Sequence, residues 1–261
     1  MTKWLLVSVL SVVMMVAGCA DDTSEEGKTD PEEASSKETE VSEKEDPDLS
    51  QAKDRNVSED GSMIEVEDPE RTDVIVNKQR KLPDGYEPPD LTVPEVPFYF
   101  DEFHPKKQMR KEAAKALETL FEAAEEEGLR PVAASGYRSY DRQKTIYENS
   151  VAENGEEYAN RYSAKPGTSE HQTGLAMDIT SAEMSFRLKQ SFIETEEGKW
   201  LEENAHRFGF VIRYPEGKTD ITGYAYEPWH LRYIGKELAE EVYEQEETLE
   251  AFFGLYPTNQ E

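Results

Sequence analysis

The sequence predicts a single α+β domain behind an acidic, unstructured leader, and three observations carry that expectation. From Val74 onward, amphipathic helical stretches mix with short β-branched or aromatic runs, without the βαβ regularity of a doubly wound sheet. That part spans about 190 residues, enough for one domain with a real core. Before it lies a stretch of Glu, Asp, Ser, Thr and Lys that holds too little apolar surface to offset its ordering entropy.

At the start, Lys3 precedes an apolar run from Trp4 to Val16 and the small residues Ala17-Gly18. This reads as an export signal, too short for a comfortable membrane span. Val16-Ala17-Gly18-Cys19 resembles the lipobox of bacterial lipoproteins, with valine where leucine is commoner. The resemblance implies cleavage before Cys19, a diacylglycerol on its thiol, and an extracytoplasmic domain held at the membrane. Residues 1–18 are then the signal, 19–73 a tether and 74–261 the folded domain. About 50 residues of charged coil reach ~40 Å.

The charge balance is 29 Lys+Arg against 57 Asp+Glu, a net of −28. Residues 20–70 hold 20 acidic and 5 basic side chains, so about half of the excess sits there. This argues against nucleic acid as a partner, which needs clustered cations. Cys19 is the only cysteine, so no intramolecular disulfide forms and any metal must be held by His and carboxylate.

The folded part begins with Val74-Ile75-Val76, a short β-branched run. Lys81 to Leu91, punctuated by Pro83, Pro88 and Pro89, predicts extended coil on the domain surface. Met109, Ala113, Ala116, Leu117, Leu120, Phe121 and Ala124 recur at helical spacing, predicting a helix over 107–127 stopped at Gly128. Pro131 to Ser135 reads as a buried strand, and a helix follows from Tyr140 to about Glu153, with Ser139 or Asp141 near its start. Leu175–Ile179 predicts a strand presenting Asp178. A helix over 200–208 stops at Gly209, a strand covers 210–214, a second covers 229–234, and a last helix runs from Lys236 to about Gln245.

Two stretches carry chemistry. Ser169 to Asp178 holds His171 and Asp178, and Glu227-Pro228-Trp229-His230 brings a second histidine. Two imidazoles and a carboxylate make three ligands for Zn²⁺ with a fourth position left for water, and Glu227 stands where a base for that water is wanted. Spacing alone leaves a structural histidine as the commoner reading, which is also the one taken for His104 and His206. In a regular strand Glu227 and His230 would face opposite sides, so both address one metal only if the chain is irregular at Pro228. Gly174 and Ala176 read as space-makers, and Trp229 as an aromatic filling the core beneath.

Ser169-x-His171-x-x-Gly174-x-Ala176-x-Asp178 together with Glu227-x-Trp229-His230 resembles the paired signature of the LAS zinc peptidases. Leu82-Pro83-x-x-Tyr86 and Ser135-Gly136-Tyr137-Arg138-Ser139-Tyr140-x-x-Gln143 are similar to its VanY-type D-alanyl-D-alanine carboxypeptidase branch. The resemblance covers about Val74 to Ile234. It implies a central, mostly antiparallel sheet flanked by helices, as in the LAS/Hedgehog-like fold. It also implies one zinc on His171, Asp178 and His230, with Glu227 as general base and acid. Arg138 becomes the cation near the scissile group or terminal carboxylate, and Tyr137, Gln143 and Ser169 line the substrate pocket. The activity implied is removal of the terminal D-alanine from peptidoglycan stem peptides. An L,D-carboxypeptidase, an endopeptidase and a non-catalytic wall-binding module remain as alternatives; the intact Glu227 argues against the last.

Overall fold

The computed structural model describes residues 63–255. The expected signal segment, the lipidation site Cys19 and most of the acidic tether lie outside these residues. In chain order the strands and helices are β1 (Ile64–Glu65), β2 (Arg80–Lys81), β3 (Leu91–Thr92), β4 (Met109–Arg110), α1 (Lys111–Glu126), β5 (Val132–Ser135), α2 (Tyr140–Asn154), α3 (Glu156–Tyr162), β6 (Ala176–Thr180), α4 (Glu196–Asn204), β7 (Phe210–Ile212), α5 (Thr219–Thr222), β8 (His230–Tyr233), α6 (Lys236–Glu244) and α7 (Leu249–Phe252).

The central sheet has the order β5-β6-β8-β7, with every neighbouring pair antiparallel. This is the α+β architecture that the sequence predicts. Alternation along the strands divides the sheet into two unlike faces. Ala133, Met177, Ile179, Phe210, Leu231 and Tyr233 join one hydrophobic cluster with Ala113, Leu117, Leu120, Phe121 and Ala124 of α1. Burying each of the larger of these side chains contributes about 1.5–3 kcal/mol. The opposite face carries Asp178, His230 and Arg232. Val211 on that side joins a second cluster with Ala239 and Val242 of α6 and with Leu249 and Phe253 near the C-terminal end. Helix α2 starts at Ser139, whose hydroxyl accepts from the Arg142 amide, a side-chain cap of the expected kind.

One expectation needs correction. Residues 63–73 belong to the domain rather than to the tether: β1 pairs in parallel with β2, and Val66 is buried in the main cluster. Averaged composition hid these few apolar residues inside an acidic stretch. The β-branched run Val74-Ile75-Val76 is buried without forming a strand. Its carbonyls are taken by arginine side chains instead: Arg232 Nη2 donates to the Thr72 and Val74 oxygens at 2.8 and 2.6 Å, and Arg80 Nε to the Ile75 oxygen at 3.4 Å. A guanidinium supplies the donors that a neighbouring strand would otherwise supply.

Candidate metal centre

The register of the sheet makes Asp178 of β6 the direct cross-strand partner of His230 on β8. His171 comes from a 3-10 turn over Glu170–Thr173 that ends at Gly174 in the left-handed region (φ 69°) and leads into β6. A Cβ at Gly174 would lie 3.0 Å from both Arg110 Cγ and Leu91 Cδ2, so conformation and space both call for glycine. Gly136, just beyond β5, is tight for another reason: a Cβ there would meet the Gln108 oxygen at 2.4 Å. Its close packing holds the Gly136 carbonyl against His171 Nδ1 at 2.8 Å, while the Arg138 amide donates to the His171 oxygen at 3.1 Å.

The three expected ligands converge. His230 Nδ1 lies 3.0 Å from Asp178 Oδ1, and His171 Nε2 lies 3.4 Å from Asp178 Oδ2. One ligand atom from each of the three buried residues falls within 4.8 Å of the others. Both remaining ring nitrogens are committed, His171 Nδ1 to the Gly136 carbonyl and His230 Nε2 to Glu170 Oε2 at 3.4 Å. Such outer contacts orient the imidazoles and set which nitrogen faces inward.

The electrostatics agree with a cation site. Burial pushes the His171 imidazole down to about 3, so it is neutral and available as a donor. At His230 burial acts the same way, but hydrogen bonds to Asp178 and Glu170 carry it up to about 9. The carboxylates on both sides of the ring therefore favour positive charge there, from a proton or from a metal at Nδ1. For Asp178 burial would raise the carboxyl, but His171, His230 and Arg138 outweigh it and hold it below the usual range. Two nitrogens and one carboxylate, oriented from outside, fit Zn²⁺ with a position left open.

Glu227 reaches the site because Glu227-Pro228-Trp229-His230 is a turn closed by the His230 amide on the Glu227 oxygen at 3.1 Å. The irregularity expected at Pro228 is present. It brings Glu227 Oε2 within 4.0 Å of His230 Nδ1. Burial pushes the Glu227 carboxyl up to about 7, aided by Asp178 and opposed by His230 and Arg138. Arg138, Ser169, His171, Asp178, Glu227, Trp229 and His230 line one cavity of about 210 Å³, with Tyr214 and Tyr224 among its other walls.

Tyr137 and Gln143 do not line this cavity. Tyr137 is buried near Tyr86 and Glu87. Arg138 faces the cavity, while Tyr137 is turned toward Tyr86 and Glu87. Gln143 is a positioning residue: its Oε1 accepts from Arg138 Nη1 at 2.9 Å while Nε2 donates to the Ala164 oxygen at 2.6 Å. His104 and His206 are structural, as expected. His104 accepts from the Lys106 amide, and the His206 ring stacks on Tyr243 at 3.6 Å.

Glu170 was missed. It is fully buried; Oε1 accepts from Arg213 Nε at 2.7 Å and from Arg232 Nη1 at 2.8 Å, and Oε2 meets His230. Burial alone would raise this carboxyl, but the two guanidiniums hold it well below the usual carboxylate range. Arg213 also forms a two-pronged pair with Glu250 of α7, and Asn77 Nδ2 donates to Glu250 at 3.2 Å. The signal in the sequence was basic residues at inward positions of apolar strands: Arg232 lies between Leu231 and Tyr233, and Arg213 follows Phe210-Val211-Ile212.

A buried two-histidine, one-carboxylate centre with a second carboxylate beside it, on the polar face of an antiparallel sheet, is the make-up of a mononuclear metallohydrolase. Residues 106–236 match the family VanY: D-alanyl-D-alanine carboxypeptidase. The chain is 46% identical to the putative carboxypeptidase YodJ of Bacillus subtilis (strain 168), over 96% of each chain. Among solved structures, that of the LdcB LD-carboxypeptidase is 51% identical, with a TM-score of 0.73, covering 76% of this chain and 92% of that one. A mutant of the vancomycin-resistance D,D-pentapeptidase VanY in complex with Zn(II) is 34% identical, with a TM-score of 0.53 over 69% of this chain and 98% of the other. The chain belongs to the VanY carboxypeptidase family and is a peptide-bond hydrolase.

Proposed function

We propose that the protein is a zinc-dependent carboxypeptidase that releases the terminal D-alanine of peptidoglycan stem peptides. The convergence of His171, Asp178, His230 and Glu227 on one cavity carries the reading. His171 Nε2, Asp178 and His230 Nδ1 would hold the metal. When bound, zinc supplies Lewis acidity, bringing the pKa of a water to about 7 and polarising the peptide carbonyl. Glu227 takes the proton of the attacking water at Oε2 and returns it to the leaving amine. Arg138, held by Gln143, binds the terminal carboxylate or the oxyanion.

The bond first expected lies between two D-alanines. A second reading is the L,D bond of a tetrapeptide stem. It is favoured by the 51% identity to a structure described as an LD-carboxypeptidase, against 34% to a D,D-pentapeptidase. Incubation with pentapeptide and tetrapeptide stems, products read by mass, separates the two. Either way the substrate's free carboxylate is recognised. Amidating it should cost ~10-fold to 100-fold in kcat/KM, the worth of a charge-assisted contact of ~1.5–3 kcal/mol. Equal cleavage of the amide would make the enzyme an endopeptidase.

One zinc per chain is expected in the purified protein by metal analysis, with strong loss in His171→Ala and in His230→Ala. Full zinc in both variants would remove the metal assignment.

A further inference from the structure

Two cations, Lys78 and Arg161, each lie over an aromatic ring that walls the catalytic cavity. Lys78 Nζ lies over the Tyr224 ring, 4.8 Å from its centroid, and the Arg161 guanidinium lies over the Tyr162 ring at 5.5 Å. Both rings are walls of the cavity that holds the proposed ligands. The charged neighbour acting on Lys78 is Arg161 itself, and burial together with that like charge lowers the Lys78 ammonium. Among the described residues no Asp or Glu pairs with either side chain. Acids outnumber bases 57 to 29 in this chain, so two neighbouring cations with no acid partner are unexpected unless an anion comes to them. Half-buried ammonium beside a guanidinium is disfavoured in the free protein, and a bound carboxylate relieves both the repulsion and the lost hydration.

We propose that Lys78 and Arg161 form an anion subsite at the cavity rim that takes a carboxylate of the substrate peptide on the amino-terminal side of the scissile bond. This rests on the carboxypeptidase reading. Such an enzyme has a single residue beyond the bond it cuts. That residue and its terminal carboxylate belong in the small cavity with Arg138, so the rest of the peptide must leave across the rim. A peptidoglycan stem offers the matching group there, the free α-carboxylate of its γ-linked glutamate. Lys78 precedes the segment matched to the family and Arg161 lies on the short helix α3.

The test compares two stem peptides, one with the γ-linked D-glutamate carboxylate free and one with it amidated, on wild-type protein, Lys78→Gln and the double variant with Arg161→Gln. In the wild type, amidation should raise KM about tenfold and leave kcat nearly unchanged, and in the double variant the two peptides should become equivalent. A third peptide, amidated at the C-terminus, should lose as much rate in the double variant as in the wild type. If the double variant is instead blind to that change, the pair binds the terminal carboxylate and the upstream assignment is overturned. A wild type indifferent to the internal amide, or a double variant that keeps the tenfold difference, also overturns it. Should the wild type release no D-alanine from any peptide, the carboxypeptidase reading falls. The subsite is then judged by equilibrium binding of the first two peptides, where equal affinity removes it.

Discussion

Glu227→Gln should keep the fold and the zinc yet lose at least ~10²–10⁴-fold in kcat, the share that a positioned general base contributes. The amide matches the carboxylate in shape but cannot accept the proton of water, and it cannot return one to the leaving amine. Glu227 is held at the site by backbone geometry: its amide donates to the Tyr214 oxygen at 3.0 Å, and its carbonyl closes the turn to His230. Neither contact involves the side-chain oxygens, so the substitution leaves the turn intact. Its side chain is partly exposed toward the cavity, and among the described residues no arginine forms a salt bridge with it. Removing the charge should therefore cost little stability, and thermal melting should move by a few degrees at most. Wild-type turnover in this variant, measured on any peptide the native protein cleaves, would show that proton transfer runs through another group.

The ligands were legible because Ser169-x-His171-x-x-Gly174-x-Ala176-x-Asp178 and Glu227-x-Trp229-His230 together resemble the LAS zinc peptidase signature, whereas spacing alone left a structural histidine as the commoner reading. What sequence reading did not supply was the register. Asp178 meets His230 because β6 and β8 pair at those residues, a contact across 52 positions that no local pattern encodes. Helices were read well where an apolar stripe and a stop agree, as over 111–126. Tyr137 was placed in the substrate pocket by the family resemblance, although its side chain lies outside the cavity that Arg138 lines. The tether boundary was drawn by averaged composition, which hid the few apolar residues of 63–73 that pack into the domain. Glu170 was passed over since its meaning lies in Arg213 and Arg232, far along the chain. Polar groups in a core are interpretable only with their partners.

Glu250→Ala should destabilise the protein by ~3–5 kcal/mol, the usual cost of removing one member of a buried ion pair. Four charges lie together in the interior with no exposed surface: Arg213 and Arg232 against Glu170 and Glu250. The set is neutral as built. Deleting Glu250 leaves two guanidiniums on one carboxylate and frees both Arg213 donors that Glu250 had taken. Arg213 can then follow Glu170 alone, and Glu170 is the group that orients His230. The damage should therefore appear twice, in urea unfolding of the metal-free protein and in a weaker zinc affinity measured by chelator competition. Removing both charges, with Arg213→Met and Glu250→Leu together, restores neutrality among the remaining groups. That double variant should be more stable than Glu250→Ala alone, because apolar replacements of a buried pair often cost little. Glu250 stands on α7, beyond the matched segment 106–236, so the prediction ties the C-terminal helix to the metal centre through charge balance. Stability within ~1 kcal/mol of wild type for Glu250→Ala, together with unchanged zinc affinity, would mean that water or a shifted side chain replaces the carboxylate and that the centre does not depend on it.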